Sequence, residues 1–259
     1  MQYFFNIINE TKNIVRIELC NGNKHNPLSL KLIKNLTSSL KQISSQEKVK
    51  VIIISSEGPG FSAGHDLEEL RKNKNNKEFF KELFNECSNL MQTIINLPQP
   101  VIAEVCGIAA AAGCQLVASC DLAVASEQAS FMTPGVNIGL FCSTPMVAVS
   151  RNLSRKKIME MLLTGEKLSA KDAVDYGLIN HCVSLNELQQ KTLSLASVIA
   201  SKPLSTVKIG KEAFYKQVEM PIDEAYRYTS EVMAMNMMEM DAYEGISAFL
   251  DKRTPSWNE

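Results

Sequence analysis

The residues from Cys106 to Asp121 combine small side chains with the beginning of a helix, a pattern suited to holding negative charge. An apolar strand over 100–105 leads into a run of Gly and Ala that predicts a turn and then a helix start. Small side chains let a ligand come close to the backbone. The first amides of a helix have no partner within it, and the helix dipole adds partial positive charge there. The pattern therefore predicts a backbone site for an oxygen that becomes negative during a reaction.

Strands and helices alternate over the first two-thirds of the chain, and these elements would position that site. Ser29 is a predicted N-cap of a helix that runs to Leu40. The β-branched run 49–55 is typical of a strand buried on both faces. After about Arg151 the pattern becomes helical, with predicted helices at 154–163, 169–176, 185–199, 204–217 and 222–240, and a last helix that holds 245–253. This rhythm predicts an α/β fold with parallel strands and right-handed crossovers.

Composition limits the size of the fold and its partners. The 259 residues can bury one sizeable core with a small appended lobe, and 45% hydrophobic and 21% charged residues are ordinary for a globular protein. The formal net charge of −1 gives no support to a nucleic-acid partner or an anionic membrane surface. No apolar run reaches the roughly 18 residues that span a bilayer. We therefore expect neither a nucleic-acid partner nor a membrane partner.

The cysteines and the N-terminal stretch lead to an expectation about location. The seven cysteines are scattered, odd in number and without C-x-x-C spacing. Such a pattern favours reduced thiols and argues against a disulfide framework or a zinc site. The stretch 1–10 has no basic start and no small-residue cleavage site, so it does not predict a signal peptide. These features predict a cytoplasmic protein without a bound metal.

Several motifs in one order resemble the enoyl-CoA hydratase/isomerase (crotonase) superfamily. They are Phe-Ser-Ala-Gly-His-Asp-Leu at 61–67, the run 107–121, and Leu-Thr-Gly-Glu-Lys-Leu-Ser-Ala at 163–170 followed by Ala-x-x-x-Gly-Leu at 173–178. The resemblance covers nearly the whole chain and ends with the segment 244–253. Two stretches, 110–121 and 133–145, are most similar to one branch of the superfamily, whose chemistry the family does not settle.

This resemblance implies both an architecture and a ligand. The architecture is a crotonase spiral of ββα repeats over 1–200, with a C-terminal helical lobe over 201–259. The lobe would join copies of the chain into a homotrimer or hexamer and help to cover coenzyme A. The implied ligand is an acyl-CoA or enoyl-CoA thioester, in which coenzyme A is part of the substrate and no separate cofactor is needed.

The resemblance also places the residues that would hold this thioester. Two backbone amides form an oxyanion hole for the thioester oxygen as it becomes an enolate, and by motif these belong to His65 and Ala112. The family usually has Gly where this chain has Ala112, but Ala still supplies the amide. The residues that would contact the coenzyme A moiety are Lys24, Ser62, Ala63, Asp66, Leu67, Phe249 and Lys252.

The carboxylates of the family's usual chemistry are missing. Hydration needs one group to activate water and another to protonate the alpha carbon, normally two glutamates. Their places hold Gln115 and Gly135, and the single glutamate of related isomerases aligns with Ser143. Because losing such help costs about 10²–10⁴-fold per group, efficient ordinary hydration is not expected. Gln115→Glu combined with Gly135→Glu would raise hydration of crotonyl-CoA if the pocket otherwise has hydratase geometry.

Other side chains could stand in for the missing carboxylates. His65 has a suitable pKa for proton transfer, although surface packing or contact with CoA is the favoured interpretation of its side chain. A nucleophilic Cys142 or Ser143 would need a base beside it. None is close in sequence, so both are predicted to line the substrate pocket with Gln115 and Gly135. For Asp121 we expect a structural hydrogen bond and no part in catalysis.

Two functions from different classes remain open at this point. The first is an enzyme of the hydratase/isomerase type that uses the oxyanion hole with an unusual or absent acid–base pair. The second is a non-catalytic acyl-CoA binder or regulatory subunit that keeps the fold without the chemistry. Turnover of enoyl-CoA and acyl-CoA substrates separates the two.

Overall fold

The strands form two separate sheets. The computed structural model describes residues 4–257; residues 1–3 of the N-terminal stretch and 258–259 of the predicted lobe lie outside them. The strands within that range are β1 (Phe5–Asn9), β2 (Ile14–Leu19), β3 (Val51–Ser56), β4 (Gly60–Ser62), β5 (Val101–Val105), β6 (Ile108–Ala110), β7 (Leu122–Ser126), β8 (Ser130–Met132), β9 (Leu168–Ser169) and β10 (His181–Val183). The larger sheet has the order β1-β2-β3-β5-β7-β10, with β1 antiparallel and the other strands parallel. The smaller sheet has the order β4-β6-β8-β9, with β9 antiparallel.

Three successive pairs of strands each contribute one strand to the larger sheet and one to the smaller sheet. β3 is followed by β4, β5 by β6 and β7 by β8, and in each pair the first strand joins the larger sheet and the second joins the smaller one. Helical segments follow each pair before the chain returns to the next turn. This repetition confirms the spiral of ββα units. The three-residue strands of the smaller sheet were not predicted, and β6 lies inside the run expected to pass directly from a turn into a helix.

Helices account for most of the remaining chain. They are α1 (Leu30–Ser44), α2 (Leu67–Lys72), α3 (Lys77–Asn96), α4 (Ala112–Ser119), α5 (Pro145–Val149), α6 (Arg155–Thr164), α7 (Ala170–Asp175), α8 (Leu185–Ala200), α9 (Leu204–Gln217), α10 (Ile222–Asn236) and α11 (Met240–Leu250). Short 3₁₀ helices lie at Gly22–Lys24 and Pro134–Ile138. Ser29 caps α1 as predicted, since its side chain accepts a hydrogen bond from the amide of Leu32. Within residues 4–257, none of these helices has the length and apolar character needed to cross a membrane.

The boundary predicted between the last two helices is wrong. α10 ends at Asn236 and not at Met240, a turn occupies 237–239, and α11 begins at Met240, earlier than the predicted last helix. The amides of Met238 and Glu239 bond three residues back, to Met235 and Asn236, which tightens the last turn of α10. Glu239 is then extended, with φ −71° and ψ 141°. Neither Gly nor Pro marks this break, and the methionines around it continue the apolar spacing.

The larger sheet separates two parts of the core. Along β3, Ile52 and Ile54 pack into the main cluster that includes α1 and α3, while Val51 and Ile53 face a second cluster that includes α8. All four side chains are fully buried. This two-sided burial confirms the prediction from the β-branched run, because strands of a parallel sheet covered by helices bury both faces.

A buried ion pair attaches α9 to this core. Lys211 Nζ lies 2.7 Å from Asp121 Oδ2, and Tyr215 donates to Asp121 Oδ1 at 3.0 Å. The same carboxylate accepts a hydrogen bond from the amide of Val101 at 2.7 Å. Asp121 therefore has the structural role that was expected of it. The predicted division of the chain between residues 200 and 201 falls in the turn between α8 and α9.

Candidate active site

The first predicted oxyanion amide follows a bend after β4. Gly64 has φ +89°, a conformation that favours glycine. Its carbonyl accepts a hydrogen bond from the amide of Leu28 at 2.8 Å. Because the peptide unit is planar and trans, the N–H of His65 points in the opposite direction, away from the Leu28 segment. Ser62 holds this bend from inside, since its buried hydroxyl bonds the carbonyl of Asn26 and accepts from the amide of Gly64.

The second predicted amide follows an equivalent bend between β6 and α4. Ala111 has φ 49° and ψ −116°, a strained conformation for a residue with a side chain. Its amide donates to the carbonyl of Met132 at 2.9 Å, and its own carbonyl accepts from the amide of Gln115 at 3.0 Å. By the same planarity, the N–H of Ala112 points out of the helix N-terminus, where the helix dipole is positive.

These two bends are in direct contact. A side-chain carbon added to Gly64 would lie 3.2 Å from the amide nitrogen of Ala112 and 2.9 Å from the carbonyl oxygen of Ala110. One added to Gly113 would lie 2.3 Å from the carbonyl oxygen of Ser62, so only glycine fits at the second residue of α4. Within residues 4–257, no hydrogen bond uses the amide of His65 or Ala112. The fold therefore brings into contact two bends that each carry an amide without a partner among the described residues.

Gln115 lies in the first turns of α4, beside this pair of amides. Its side chain is buried, and its carbonyl oxygen lies 3.9 Å from the thiol of Cys87 on α3. Burial raises the pKa of that thiol to about 12, so it stays protonated near neutral pH. A neutral amide facing a neutral thiol supplies no carboxylate for proton transfer at this position.

The position of the second missing carboxylate is closed. A side-chain carbon at Gly135 would meet the sulfur of Cys142 and the carbonyl oxygen of Leu140, each at 2.9 Å. The amide of Gly135 also donates to Cys142 Sγ at 3.4 Å. A glutamate at 135 therefore cannot be added without moving the loop 139–142. The pocket does not have the geometry that the expected rise in crotonyl-CoA hydration by Gln115→Glu with Gly135→Glu assumes.

The residues of that loop differ in exposure. Cys142 is buried, and burial raises the pKa of its thiol even though the amide of Gly135 opposes the shift. Ser143 is exposed, and its hydroxyl lies 3.4 Å from the carbonyl of Phe141. Within the described part of the chain no basic side chain bonds either group, so neither has the partner that would activate it as a nucleophile.

The imidazole of His65 lies beside α3. Its Nδ1 is 3.3 Å from the carbonyl oxygen of Leu28, and its ring makes an edge contact with Phe84 at a centroid distance of 5.4 Å. Burial lowers its pKa, and the bond to Leu28 offsets only part of that shift. These contacts could not be predicted from the sequence, because both neighbours are distant along the chain and neither belongs to a recognisable motif.

The predicted coenzyme A contacts around the first bend vary in accessibility. Ala63 and Leu67 are exposed, whereas the side chain of Ser62 is fully buried and supports the bend. Asp66 caps α2 by accepting from two amides of its first turn, at 2.9 and 3.2 Å. Lys24 is exposed and pairs with Glu68 at 3.3 Å, a contact of little energy at a surface. A cavity of about 240 Å³ lies here, with Lys24 and Asp66 in its wall.

The remaining coenzyme A candidates are on or after the last helix. Phe249 is 83% exposed, and Lys252, also exposed, has φ 56° just beyond the end of α11. Their predicted role requires a neighbouring subunit and stays a prediction.

One group of side chains has the composition of a metal site. The side-chain ligand atoms of Glu18, Cys20 and Glu57 lie within 4.8 Å of one another, among the residues that the structure describes. The two carboxylates raise the pKa of the Cys20 thiol, in addition to the larger effect of its burial. Exposed acidic groups commonly meet in this way without an ion, and the cluster is not part of the two bends. It therefore carries no metal assignment.

Comparison with known proteins connects this geometry to a family. The model of the family described as enoyl-CoA hydratase/isomerase matches residues 9–259. The chain is 50% identical over 245 residues to human enoyl-CoA hydratase domain-containing protein 3, mitochondrial, covering 95% of this chain and 80% of that protein. The crystal structure of that human protein superposes with a TM-score of 0.95 at 48% identity, covering 98% of this chain and 100% of the other. That of an enoyl-CoA hydratase from Mycobacterium smegmatis gives 0.96 at 43% identity and 99% coverage of both chains.

The comparisons also correct the expected location. Similar relatives from human, mouse, rat, Xenopus laevis and Danio rerio are all named as mitochondrial. The prediction of a cytoplasmic protein is therefore wrong, because reduced, scattered cysteines do not distinguish between these compartments. The chain matches the family model and its relatives over most of their length, and it has the spiral of ββα units. These findings establish that the chain belongs to the enoyl-CoA hydratase/isomerase family.

Proposed function

We propose that this chain binds an acyl-CoA or enoyl-CoA thioester and stabilises its enolate through the backbone amides of His65 and Ala112. The observation that carries the proposal is the contact between two bends whose amides are unpaired and point away from their supporting segments. Such donors act most strongly where charge develops in the transition state. A thioester carbonyl whose alpha carbon loses a proton develops that charge on its oxygen.

The chemistry that follows enolate formation is not ordinary hydration. Gln115 is a neutral amide beside a protonated thiol, and Gly135 is covered by Cys142 and Leu140. With both carboxylates absent, the loss of general acid–base help at about 10²–10⁴-fold per group makes efficient hydration of crotonyl-CoA inaccessible. Isomerisation, slow hydration and thioester cleavage all begin from the stabilised thioester and remain within the proposed function.

A second candidate function is that of a non-catalytic acyl-CoA binder or regulatory subunit. The observation that favours it is the same absence of carboxylates, because a site that has lost its proton-transfer groups can still recognise the thioester. The two functions share the ligand and differ only in whether a covalent bond of the ligand changes. They are therefore separated by turnover and not by binding.

The proposed function includes self-association as a homotrimer or hexamer. Large apolar side chains on α10, on α11 and in the turn between them are exposed in the single chain: Tyr226, Met233, Met235, Met238, Met240, Tyr243 and Phe249. The methionine-rich segment is therefore not part of the core of this chain, and its exposure supports a role in subunit contact. An apolar surface of this kind supports an interface, and Phe249 and Lys252 would then cover the coenzyme A moiety of a neighbour.

Calorimetry and turnover assays test this proposal together. Butyryl-CoA is titrated into the protein beside free coenzyme A, and crotonyl-CoA, a 3-enoyl-CoA and saturated acyl-CoAs are then tested for turnover. We expect micromolar binding of the thioester. Conversion of any of these thioesters supports the enzyme, and binding without conversion favours the non-catalytic binder. Absence of micromolar binding would contradict both candidates.

A further inference from the structure

Four polar side chains meet at the carboxyl ends of two neighbouring parallel strands. In the pairing of β2 with β3, Glu18 lies opposite Ser55. The amide of Glu57 donates to the carbonyl of Leu19 at 2.8 Å, so the pairing continues beyond the end of β3. Because side chains alternate along a strand, Cys20 and Glu57 lie on the same face of the sheet as that first pair. The strand register therefore brings two carboxylates, a thiol and a hydroxyl to one place.

The ligand atoms of the three ionisable groups are within reach of a single ion. A carboxylate oxygen of Glu18, the sulfur of Cys20 and a carboxylate oxygen of Glu57 all lie within 4.8 Å of one another. Ligands bound to a tetrahedral zinc ion at about 2.0–2.3 Å are separated from each other by about 3.5 Å. Glu57 is exposed and the other two are half-buried, so rotation of these side chains closes the remaining difference.

Ser55 supplies an independent observation that proximity of the three ligand atoms does not give. The residue is 3% exposed, and its hydroxyl oxygen is buried without a hydrogen-bond partner among the described residues. Buried hydroxyls are normally paired, and a bound water or ion is one explanation for an exception. The hydroxyl lies on the face that carries both carboxylates and can hold a water bound to a metal there.

Among the described residues, no basic side chain neutralises this face. Neither Glu18 nor Glu57 has a salt-bridge partner there, and Arg16, two residues before Glu18, is bonded to two other carboxylates. The thiol of Cys20 donates to the carbonyl of Glu18 at 3.1 Å. Burial raises the pKa of this thiol, and the two carboxylates raise it further. A cation bound between these groups would offset the repulsion among them.

We propose that Glu18, Cys20 and Glu57 bind one zinc ion through two carboxylate oxygens and a thiolate. A water held by the hydroxyl of Ser55 completes the tetrahedral set. The thiol proton passes to solvent as the metal binds. Sulfur favours zinc over magnesium and calcium, which prefer oxygen ligands. The site is independent of the proposed function, and it needs no C-x-x-C spacing because it uses a single cysteine.

The ion joins two loops that support the first bend. A side-chain carbon added to Gly58 would lie 2.7 Å from the alpha carbon of Gly22, so the loops after β2 and β3 are in contact. The side-chain amide of Asn26 donates to the carbonyls of Glu57 and Gly60 at 3.0 and 2.9 Å. Because metal binding to a folded site adds to folding stability, zinc stabilises this junction.

Zinc titration of the full-length protein, reduced and treated with chelator, tests the site. We expect one zinc ion per chain, with a micromolar or tighter dissociation constant that an excess of magnesium does not weaken. Cobalt bound in place of zinc should give the thiolate-to-cobalt charge-transfer band in the near ultraviolet, which a site made only of carboxylates lacks. Zinc should also raise the melting temperature of the protein.

Single substitutions identify the ligands. Cys20→Ser should abolish the cobalt band and weaken zinc binding by at least about tenfold. Glu57→Gln, at an exposed position, should weaken zinc binding by a similar factor. Ser55→Ala should weaken it by about tenfold, because the bound water loses its partner. Cys182→Ser is the matched control, since Cys182 is also half-buried and both burial and Glu127 raise its pKa.

Several results would overturn the zinc site. One is the absence of zinc binding at micromolar concentration, and another is a cobalt spectrum without the charge-transfer band. A band that persists in Cys20→Ser, or that disappears in Cys182→Ser, would show that a different cysteine is the ligand. Unchanged zinc affinity in Glu57→Gln, with a fold confirmed by circular dichroism, would overturn the site even if Cys20→Ser were unstable.

Discussion

Replacing Ala112 with proline removes one amide of the proposed hole. Ala112 is the first residue of α4, where proline is well tolerated because its missing N–H would have no helical partner. Within residues 4–257 this amide makes no hydrogen bond, so the folded chain loses none. Removing one oxyanion donor costs about 3–4 kcal/mol in the transition state, which corresponds to about 10²–10³-fold in rate. Because the charge develops only as the enolate forms, binding of the ground-state thioester should change much less.

The assay measures exchange of the alpha protons of butyryl-CoA in D₂O by mass spectrometry. Binding of butyryl-CoA is measured separately by calorimetry. Ala112→Gly keeps the amide and matches the residue that the family usually has there, so it should exchange at nearly the original rate. Arg155→Pro places proline at the first residue of α6 on an exposed surface and controls for proline at a helix start. A folded Ala112→Pro variant that exchanges within about threefold of the unmodified protein, far less than loss of a donor predicts, would refute the assignment of this amide.

Three further predictions concern stability and the closed position at 135. Gly135→Glu should lower the free energy of unfolding by about 1–3 kcal/mol through overpacking against Leu140. The rate of crotonyl-CoA hydration should not rise, and a folded variant that hydrates faster would contradict the lack of space at position 135. Ala111→Gly should raise the free energy of unfolding by about 1 kcal/mol, since the backbone strain relieved exceeds the entropy cost of glycine. A calorimetric melting temperature at or below that of the unmodified protein would contradict the strain at Ala111. Glu104→Gln should cost about 1.5–3 kcal/mol in denaturant titration, because it removes the buried charge whose Oε1 lies 2.6 Å from Arg16 Nη1, while Arg16 keeps its pair with Glu10. A loss below about 1 kcal/mol, as for a surface pair, would contradict that view.

Local chemistry made several elements predictable from the sequence. The cap at Ser29 accepts a hydrogen bond from the amide three residues on, as its side chain and spacing indicated. The β-branched run 49–55 contains a strand buried on both faces. The small residues from Gly107 onward do form the bend before α4, and the motif around Gly64 forms the other.

Features that depend on distant parts of the chain could not be predicted in the same way. The strands β4, β6 and β8 have three residues each, too few for a periodic pattern to identify. The closure of Gly135 depends on the path of the following loop and not on Gly135 itself. The neighbours of His65 come from the Leu28 segment and from α3, so the orientation of its ring is decided by tertiary packing.

The role of Asp121 illustrates how the structure separates support from chemistry. A carboxylate at the start of β7, near the motif of the hole, could have served either purpose. Among the described residues its carboxylate bonds Lys211, Tyr215 and the amide of Val101 at the start of β5, so it joins α9 to the sheet. The carboxylates near the two bends are similarly committed: Asp66 caps α2, and Glu69 holds the start of α1.

The infrared stretching frequency of the thioester carbonyl in bound butyryl-CoA tests most directly whether the amides of His65 and Ala112 both donate to its oxygen. A carbonyl labelled with carbon-13 separates its band from those of the protein backbone. Two aligned backbone donors should polarise the C=O bond beyond what water does, so we predict a clear shift to lower frequency on binding that is reduced in Ala112→Pro. A band at the frequency of free butyryl-CoA in water, in a protein saturated with the ligand, would contradict the account.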